Sequence, residues 1–380
     1  MKTYLVSEVA ALHQVAKPWR ELPTASPMNS PDWLIPWWNH FGCPKRANKA
    51  IRITGAELFC ILVVEDDGKL IGLAPWYLVR NSLGIRTIRF LGDGHVCSDH
   101  LSILAAAEFA DAACQQIAEF LMTDVKQDWD TIDLEAIDRD DPVMTRFAQQ
   151  MGGAHGCLVQ SREMPCTWRF DLPMSWDELI DGYSKNRRKK LRRKTKEYFD
   201  SGRAVFRVAN QPNQISDFAD QLFRLHRLRW AAGTKAGGFG PGAFGSAEVE
   251  SFHRDAFASL LATESLELAM VEIDGQVIAA EYNLKNYTTR FGYQAGIDPA
   301  VYDISPGEIS LSMAIRHAIA TGAKRFDFLR GDEDYKSTWG AESCPTYRLR
   351  IQRQVFKGYL DHYTDETTTV LRKIKRLIST

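Results

Sequence analysis

The stretch DFLRGDEDYKSTWG, Asp327 to Gly340, holds the densest set of groups able to do chemistry. Strand alternation puts Asp327, Leu329 and Gly331 on one face and Phe328 and Arg330 on the other, and Gly331 ends the strand. Arg330, Gly331 and Asp332 then open a polar turn that leads through Tyr335 and Lys336 into a short helix. Ligands of α/β sheets gather at the carboxyl ends of strands, which makes this turn a candidate binding site. A structural account also fits: carboxylates suited to a helix N-terminus, with Asp332 and Lys336 as an i, i+4 ion pair.

Three further groups carry possible chemistry upstream. In Ser305-Pro306-Gly307-Glu308, Ser at the cap, Pro at N1 and Glu at N3 predict a capping box. The same exposed amides can hold a pyrophosphate, with Gly307 permitting close approach. His226 and Trp230 stand one helical turn apart in LFRLHRLRW, and a histidine titrating near neutrality can take a proton from an ammonium nucleophile. Glu281, between Ala279 and Asn283 on a half-buried strand face, is the rival base, and the residues alone do not choose between the two.

Charge is concentrated in SKNRRKKLRRKTKEYF. Lys185 to Lys196 holds nine Lys and Arg in twelve positions, although the whole chain of 380 residues sums to −1. Without that run, 38 Lys plus Arg face 48 Asp plus Glu, which disfavours general nucleic-acid binding and points to a local anion site. Ile180, Tyr183, Arg187, Leu191, Thr195 and Tyr198 give a narrow stripe at helical spacing, in one helix starting near Trp176. Like charges at i, i+3 and i+4 cost helix stability, so an acidic surface or anionic ligand must offset them, with Arg187 and Arg188 as candidate phosphate contacts. A second basic segment, 356–380, has Val370, Leu371, Ile374, Leu377 and Ile378 on one helical face; packing, membrane-surface contact and anion binding all fit it.

The elements that must position these groups occur twice. LFCILVVEDDGKLIGLAPWYL (58–78) and LELAMVEIDGQVIAAEYNL (266–284) each read as a hairpin around Asp-Gly. Each is followed by a strand (IRTIRFLG; TTRFGYQAG), a helix (105–122; 306–320) and another strand (DTIDLEAI; KRFDFLRG). This predicts two α/β domains of one fold, 1–160 and 161–355, each a mixed, mostly antiparallel sheet flanked by helices, with 356–380 as a tail. Seven scattered cysteines without a CxxC pair give neither a disulfide framework nor a zinc site, so the expectation is a reduced, cytoplasmic protein that needs no metal. No apolar run approaches a membrane span.

Taken in order, HRLRW with GGFG (Gly237–Gly240), IDGQVIAAEYNL, YQAGIDPAVYDISPGEI and DFLRGDEDYKSTWG resemble the GNAT-like acetyltransferases of bacterial cellulose and exopolysaccharide gene clusters, the CelD/BcsL type. SPDWLIPWW, LAPWYL and FLGDGHVCSDHLSIL extend the resemblance to the first half. It implies tandem GNAT-like domains and transfer of an acyl group, with acetyl-CoA as donor, to an amine of a small or lipid-linked sugar acceptor. It places Trp230 and Phe239 among the substrate contacts. The chain is more distantly similar to the Fem-type aminoacyltransferases, which implies that Lys336 assists at the acyl carbonyl; by similarity to ordinary GNAT enzymes, Tyr335 protonates the leaving thiolate. The Gln/Arg-x-x-Gly-x-Gly/Ala pyrophosphate loop of those enzymes is replaced by SPGE, and the coiled-coil arm of some Fem-type enzymes is missing. Two alternatives therefore stay open: aminoacyl-tRNA as donor, and a non-catalytic effector that binds a cyclic dinucleotide or other phosphate ligand at the basic helices. Peripheral contact with the inner membrane is compatible with both basic segments.

Overall fold

The computed structural model describes residues 1–42, 55–94, 96–231 and 243–354. They form two compact units, Met1–Met164 with the segment from Pro345, and Pro165–Cys344. Phe239, the Gly237–Gly240 motif and the basic tail lie outside the described residues.

The first unit begins with β1 (Lys2–Val6), α1 (Val9–Glu21) and α2 (Pro31–Trp37). The apolar run then gives β2 (Glu57–Leu58) and β3 (Cys60–Val64), and Asp67-Gly68, with Gly68 at φ 90°, turns the chain into β4 (Leu70–Ala74). The expected second arm of this hairpin is two strands, not one. Pro75, which has no N–H for a ladder, ends β4; β5 (Trp76–Arg80) instead pairs with β6 (Arg86–Phe90). After β7 (Leu104–Ala105) come α3 (Ala110–Met122), β8 (Thr131–Asp138) and α4 (Pro142–Gln149). β8 runs parallel to β6 and antiparallel to the strand Glu342–Gln352, which is why 345–352 belong to this unit rather than to a second domain ending at 355. Ile61, Trp76, Phe90, Trp129, Ile132 and Phe147 fill its core.

In the second unit, β9 (Leu158–Asp171) leads to α5 (Trp176–Asp181), α6 (Lys185–Lys194), β10 (Ala204–Val208), α7 (Pro212–Ala231) and α8 (Ala247–Ala262). The single basic helix expected from Trp176 is thus two helices. Ser175 and Ser184 each cap one, accepting from the Glu178 and Arg187 amides. Then follow β11 (Leu266–Ile273), β12 (Gln276–Lys285), β13 (Thr289–Ile297), α9 (Pro306–Ala320), β14 (Arg325–Arg330) and α10 (Tyr335–Thr338). Asp274 and Gly275 at φ 50° and 83° make the two-residue hairpin turn that the Asp-Gly pair predicts. Strand order is β10-β11-β12-β13-β14-β9, antiparallel except where α9 makes β14 parallel to β13.

The duplication is visible in both units. β6, α3 and β8 repeat the crossover of β13, α9 and β14, and each crossover's second strand carries a non-glycine residue in the left-handed region, Ala136 (φ 61°) and Leu329 (φ 58°). Two helix–sheet contacts depend on missing side chains. A Cβ on Gly72 would lie 2.7 Å from that of Ala113 in α3. One on Gly296 of β13 would lie 2.7 Å from the His226 nitrogen and 2.9 Å from the Leu222 carbonyl in α7.

Because those neighbours of Gly296 are backbone atoms, they cannot rotate away. Gly296→Ala is therefore expected to destabilise the fold by about 1–3 kcal/mol in urea unfolding; a loss below about 0.5 kcal/mol would show that α7 does not rest on this strand as described.

Candidate active site

A cleft of about 440 Å³ lies within the second unit. It forms because β13 and β14 pair only from Thr289↔Arg325 to Phe291↔Asp327 and then part. Gly292 to Ala295 line one side and Phe328 and Arg330 the other. Glu281 of β12, Trp230 of α7, Gly307 and Glu308 of α9, Arg187 of α6, and Tyr335, Lys336 and Trp339 at α10 complete it.

The end of β14 departs from the expected alternation. Leu329 turns left-handed, its N–H donating to the Asp327 carboxylate at 2.7 Å, and the register with β9 shifts between Asp327 and Arg330. Gly331 follows at φ 117°, where a Cβ would meet the Glu333 carboxylate at 2.5 Å. This chain reversal turns the carbonyls of Leu329, Arg330 and Gly331 toward the Lys336 ammonium, at 3.3, 2.8 and 3.0 Å. Lys336 is 2% exposed and pairs with Glu333 at 2.9 Å, not with Asp332, which is exposed and away from the cleft lining. With four oxygens around three N–H groups, its first role is to brace the strand end.

The two candidate bases separate cleanly. His226 is fully buried, and its Nε2 accepts the indole N–H of Trp230 at 2.9 Å. Burial, then Arg229 and Arg227, push its imidazole down to about 4, so at neutral pH it is uncharged with its acceptor nitrogen occupied. His226 does not line the cleft; it orients Trp230, which does. Glu281 lines the cleft although only 6% of it is exposed. Burial pushes its carboxyl up to about 7, against a 2.5 Å hydrogen bond from Ser310 Oγ and the positive charge of Arg229. It can therefore exchange a proton near neutrality. Tyr335 stands edge-on to Phe328 at 5.8 Å. Desolvation and the carboxylates of Glu333 and Glu281 all raise its phenol, so it keeps its proton across the neutral range.

The start of α9 is also rebuilt. Ser305 is left-handed (φ 60°) and its side chain makes no cap hydrogen bond, so the predicted capping box is absent. Glu308 faces Lys190 and Lys194 of α6, each 2.8 Å away. Burial opposes its ionisation, but the two lysines outweigh that and lower its pKa. Asp181 at the end of α5 takes Arg188 and Arg192, which removes Arg188 from the cleft. These two carboxylates supply the acidic offset that the basic run requires. Arg187 does reach the cleft, its guanidinium 4.7 Å from the Trp339 ring and 4.8 Å from that of Tyr183. Sequence reasoning missed Arg229, which lies one turn after His226 and acts on Glu281, and Ser310, one turn into α9. Among the described residues no group of three or more His, Cys, Asp or Glu is placed to hold a metal, and no helix is long and apolar enough to cross a membrane.

Residues 185–337 match the family model described as "Acetyltransferase (GNAT) domain". The second unit therefore carries a GNAT acyltransferase domain. In fold, the chain is similar to the crystal structure of FemX (TM-score 0.60, 11% identity, covering 91% of this chain and 97% of that one). It is also similar to a conserved protein of unknown function from Bacteroides thetaiotaomicron (TM-score 0.55, 9% identity, 93% and 100%) and to L-PGS from Bacillus licheniformis (TM-score 0.51, 11% identity, 90% and 92%). No curated protein matches the sequence.

Removing a buried cation from four oxygens leaves them without a donor, so Lys336→Ala is expected to cost about 3 kcal/mol or more in chemical denaturation, and Asp332→Ala under about 0.5. Equal small losses would restore the exposed-pair account. For Glu281 the folded pKa of about 7 exceeds the ordinary 4.5, so the native state holds its proton more tightly and stability falls as pH rises through that window. Glu281→Gln does not titrate and is expected to gain on the wild type by up to about 3 kcal/mol between pH 4.5 and 8; parallel pH–stability curves would contradict the buried carboxyl.

Proposed function

We propose that the cleft of the second unit transfers the acetyl group of acetyl-CoA to the amine of an amino sugar in a cell-surface polysaccharide or its precursor. The carrying observation is Glu281, a buried carboxyl at about 7 that lines the same cleft as the protonated phenol of Tyr335. The GNAT family match supports acyl transfer, and the resemblance of the ordered motifs to the exopolysaccharide-cluster enzymes supports the acceptor.

In this reading the acceptor ammonium gives a proton to Glu281, and its nitrogen attacks the thioester carbonyl. Amides of β13 that point away from β12 face the cleft beyond Phe291 and polarise that carbonyl. As the C–N bond forms and the C–S bond breaks, Tyr335 gives its proton to the departing thiolate and regains one from the acylated nitrogen, while Glu281 releases its proton to solvent. The products are an amide and a free thiol. Gly307 and the amides at the start of α9 receive the donor phosphates, with Lys190 and Lys194 released from Glu308 to meet them.

Glu308 is also the observation that favours a second donor. A carboxylate at the head of α9 opposes a pyrophosphate there, which suits aminoacyl-tRNA carried by the basic helix instead.

Thiol release from acetyl-CoA with glucosamine-type acceptors is the test. The rate is expected to rise with pH through an apparent pKa near 7, and Glu281→Gln to lose that limb and about 100-fold or more in turnover. No thiol release over a broad acceptor panel would remove the acetyl-CoA reading; aminoacyl transfer from charged tRNA in the same preparation would establish the second donor.

A further inference from the structure

Arg187 is the cation of the basic run that the cleft itself contains. Its plane is held by Trp339 and Tyr183, yet its Nε and Nη2 atoms are buried with no hydrogen-bond partner. A guanidinium N–H that is out of water and has no acceptor costs stability, and a charged group costs more than a neutral one. Four other cations of the same helix are already engaged: Arg188 and Arg192 on Asp181, Lys190 and Lys194 on Glu308. Nε and Nη2 together form the side of the guanidinium that grips two oxygens of a carboxylate or phosphate at once.

Position on α6 separates this group from the donor phosphates. Lys190 and Lys194 meet the head of α9, whereas Arg187, one to two turns earlier, meets Trp339 just beyond α10. At about 1.5 Å per residue, Arg187 stands roughly 5–10 Å along the helix from the two lysines. We infer that Arg187 is an oxyanion-binding residue for the acceptor, so that the amine substrate carries a phosphate or carboxylate which the side-on guanidinium recognises. The inference rests on the cleft being the acyl-transfer site. It makes the acceptor an anionic amino sugar, such as a sugar phosphate, and Arg187 a specificity residue rather than part of the chemistry. The aromatic faces of Trp339 and Tyr183 keep the guanidinium flat and pre-oriented, so little side-chain entropy is lost on binding.

The experiment uses the full chain, calorimetry, and glucosamine 6-phosphate against glucosamine, without donor. Wild type is expected to bind the phosphate at least about tenfold more tightly than the neutral sugar. Arg187→Met keeps the stem on the rings and removes the buried donors. It is expected to abolish that preference, leave acetyl-CoA affinity within about twofold, and melt at the wild-type temperature or above. Arg187→Lys, which keeps the charge without the paired N–H groups, is expected to bind the phosphate with intermediate affinity. The inference is overturned by equal affinity for the two probes, by a preference that survives in Arg187→Met, or by a loss of acetyl-CoA affinity equal to that for the phosphate. A melting temperature well below wild type in Arg187→Met would make the arginine structural and overturn it as well. Absence of thiol release with every acceptor, alongside an intact Arg187-dependent preference, would count against the acyl-transfer reading alone; thiol release without the preference would count against this inference alone.

Discussion

Two parallel strands that part company must have their backbone satisfied by something other than each other, and in the second unit the Lys336 ammonium does this at the end of β14. By collecting the carbonyls of Leu329, Arg330 and Gly331 it makes a left-handed leucine and a glycine turn tolerable in a strand. A single left-handed non-glycine residue costs on the order of 1–2 kcal/mol, which a charge-assisted hydrogen bond offsets. The separation of β13 from β14 makes the cleft, and the cleft walls desolvate Glu281. The setting of Glu281 therefore depends on a lysine whose contacts are with the strand end and Glu333.

The sheet beneath supports the same division of labour. Gly296 lets α7 lie directly on β13, which fixes His226 in the packed layer and Trp230 at the cleft. His226 is buried too deeply to act as a base and serves by accepting the indole N–H. α6 contributes in two ways: its later turns tie to α9 through Glu308, and its first turn delivers Arg187. The answer to how one short segment holds nine cations is that carboxylates on two other helices take four of them. Asp181 and Glu308 convert mutual repulsion into contacts between helices.

Much of the fold was legible because its signals are local. Asp-Gly turns, apolar alternation and Pro306 at the head of α9 locate the hairpins and the crossover, and their repetition announces the duplication. The limits were equally physical. Pro75 sends β5 to a different sheet, and the strand after Cys344 returns to the first unit, because strand partners are chosen by long-range pairing that spacing does not encode. The site was half visible: Glu281, Tyr335, Lys336, Trp230, Gly307, Arg330 and Arg187 do share one cleft. What spacing could not show is which neighbour a charge takes. Lys336 chooses Glu333 and three carbonyls over Asp332, and Glu308 chooses two lysines from another helix over the Ser305 backbone. The rank of the two bases likewise follows from burial depth, which helical and strand periodicity give only as a face.

The central claim is that the fold holds Glu281 as a carboxyl poised near neutrality at the cleft. Carbon-13 NMR of the labelled glutamate carboxyls, with Glu281 assigned by comparison with Glu281→Gln, measures it directly. The account predicts an apparent pKa of about 7 for this carboxyl; titration near the ordinary 4.5 would contradict it.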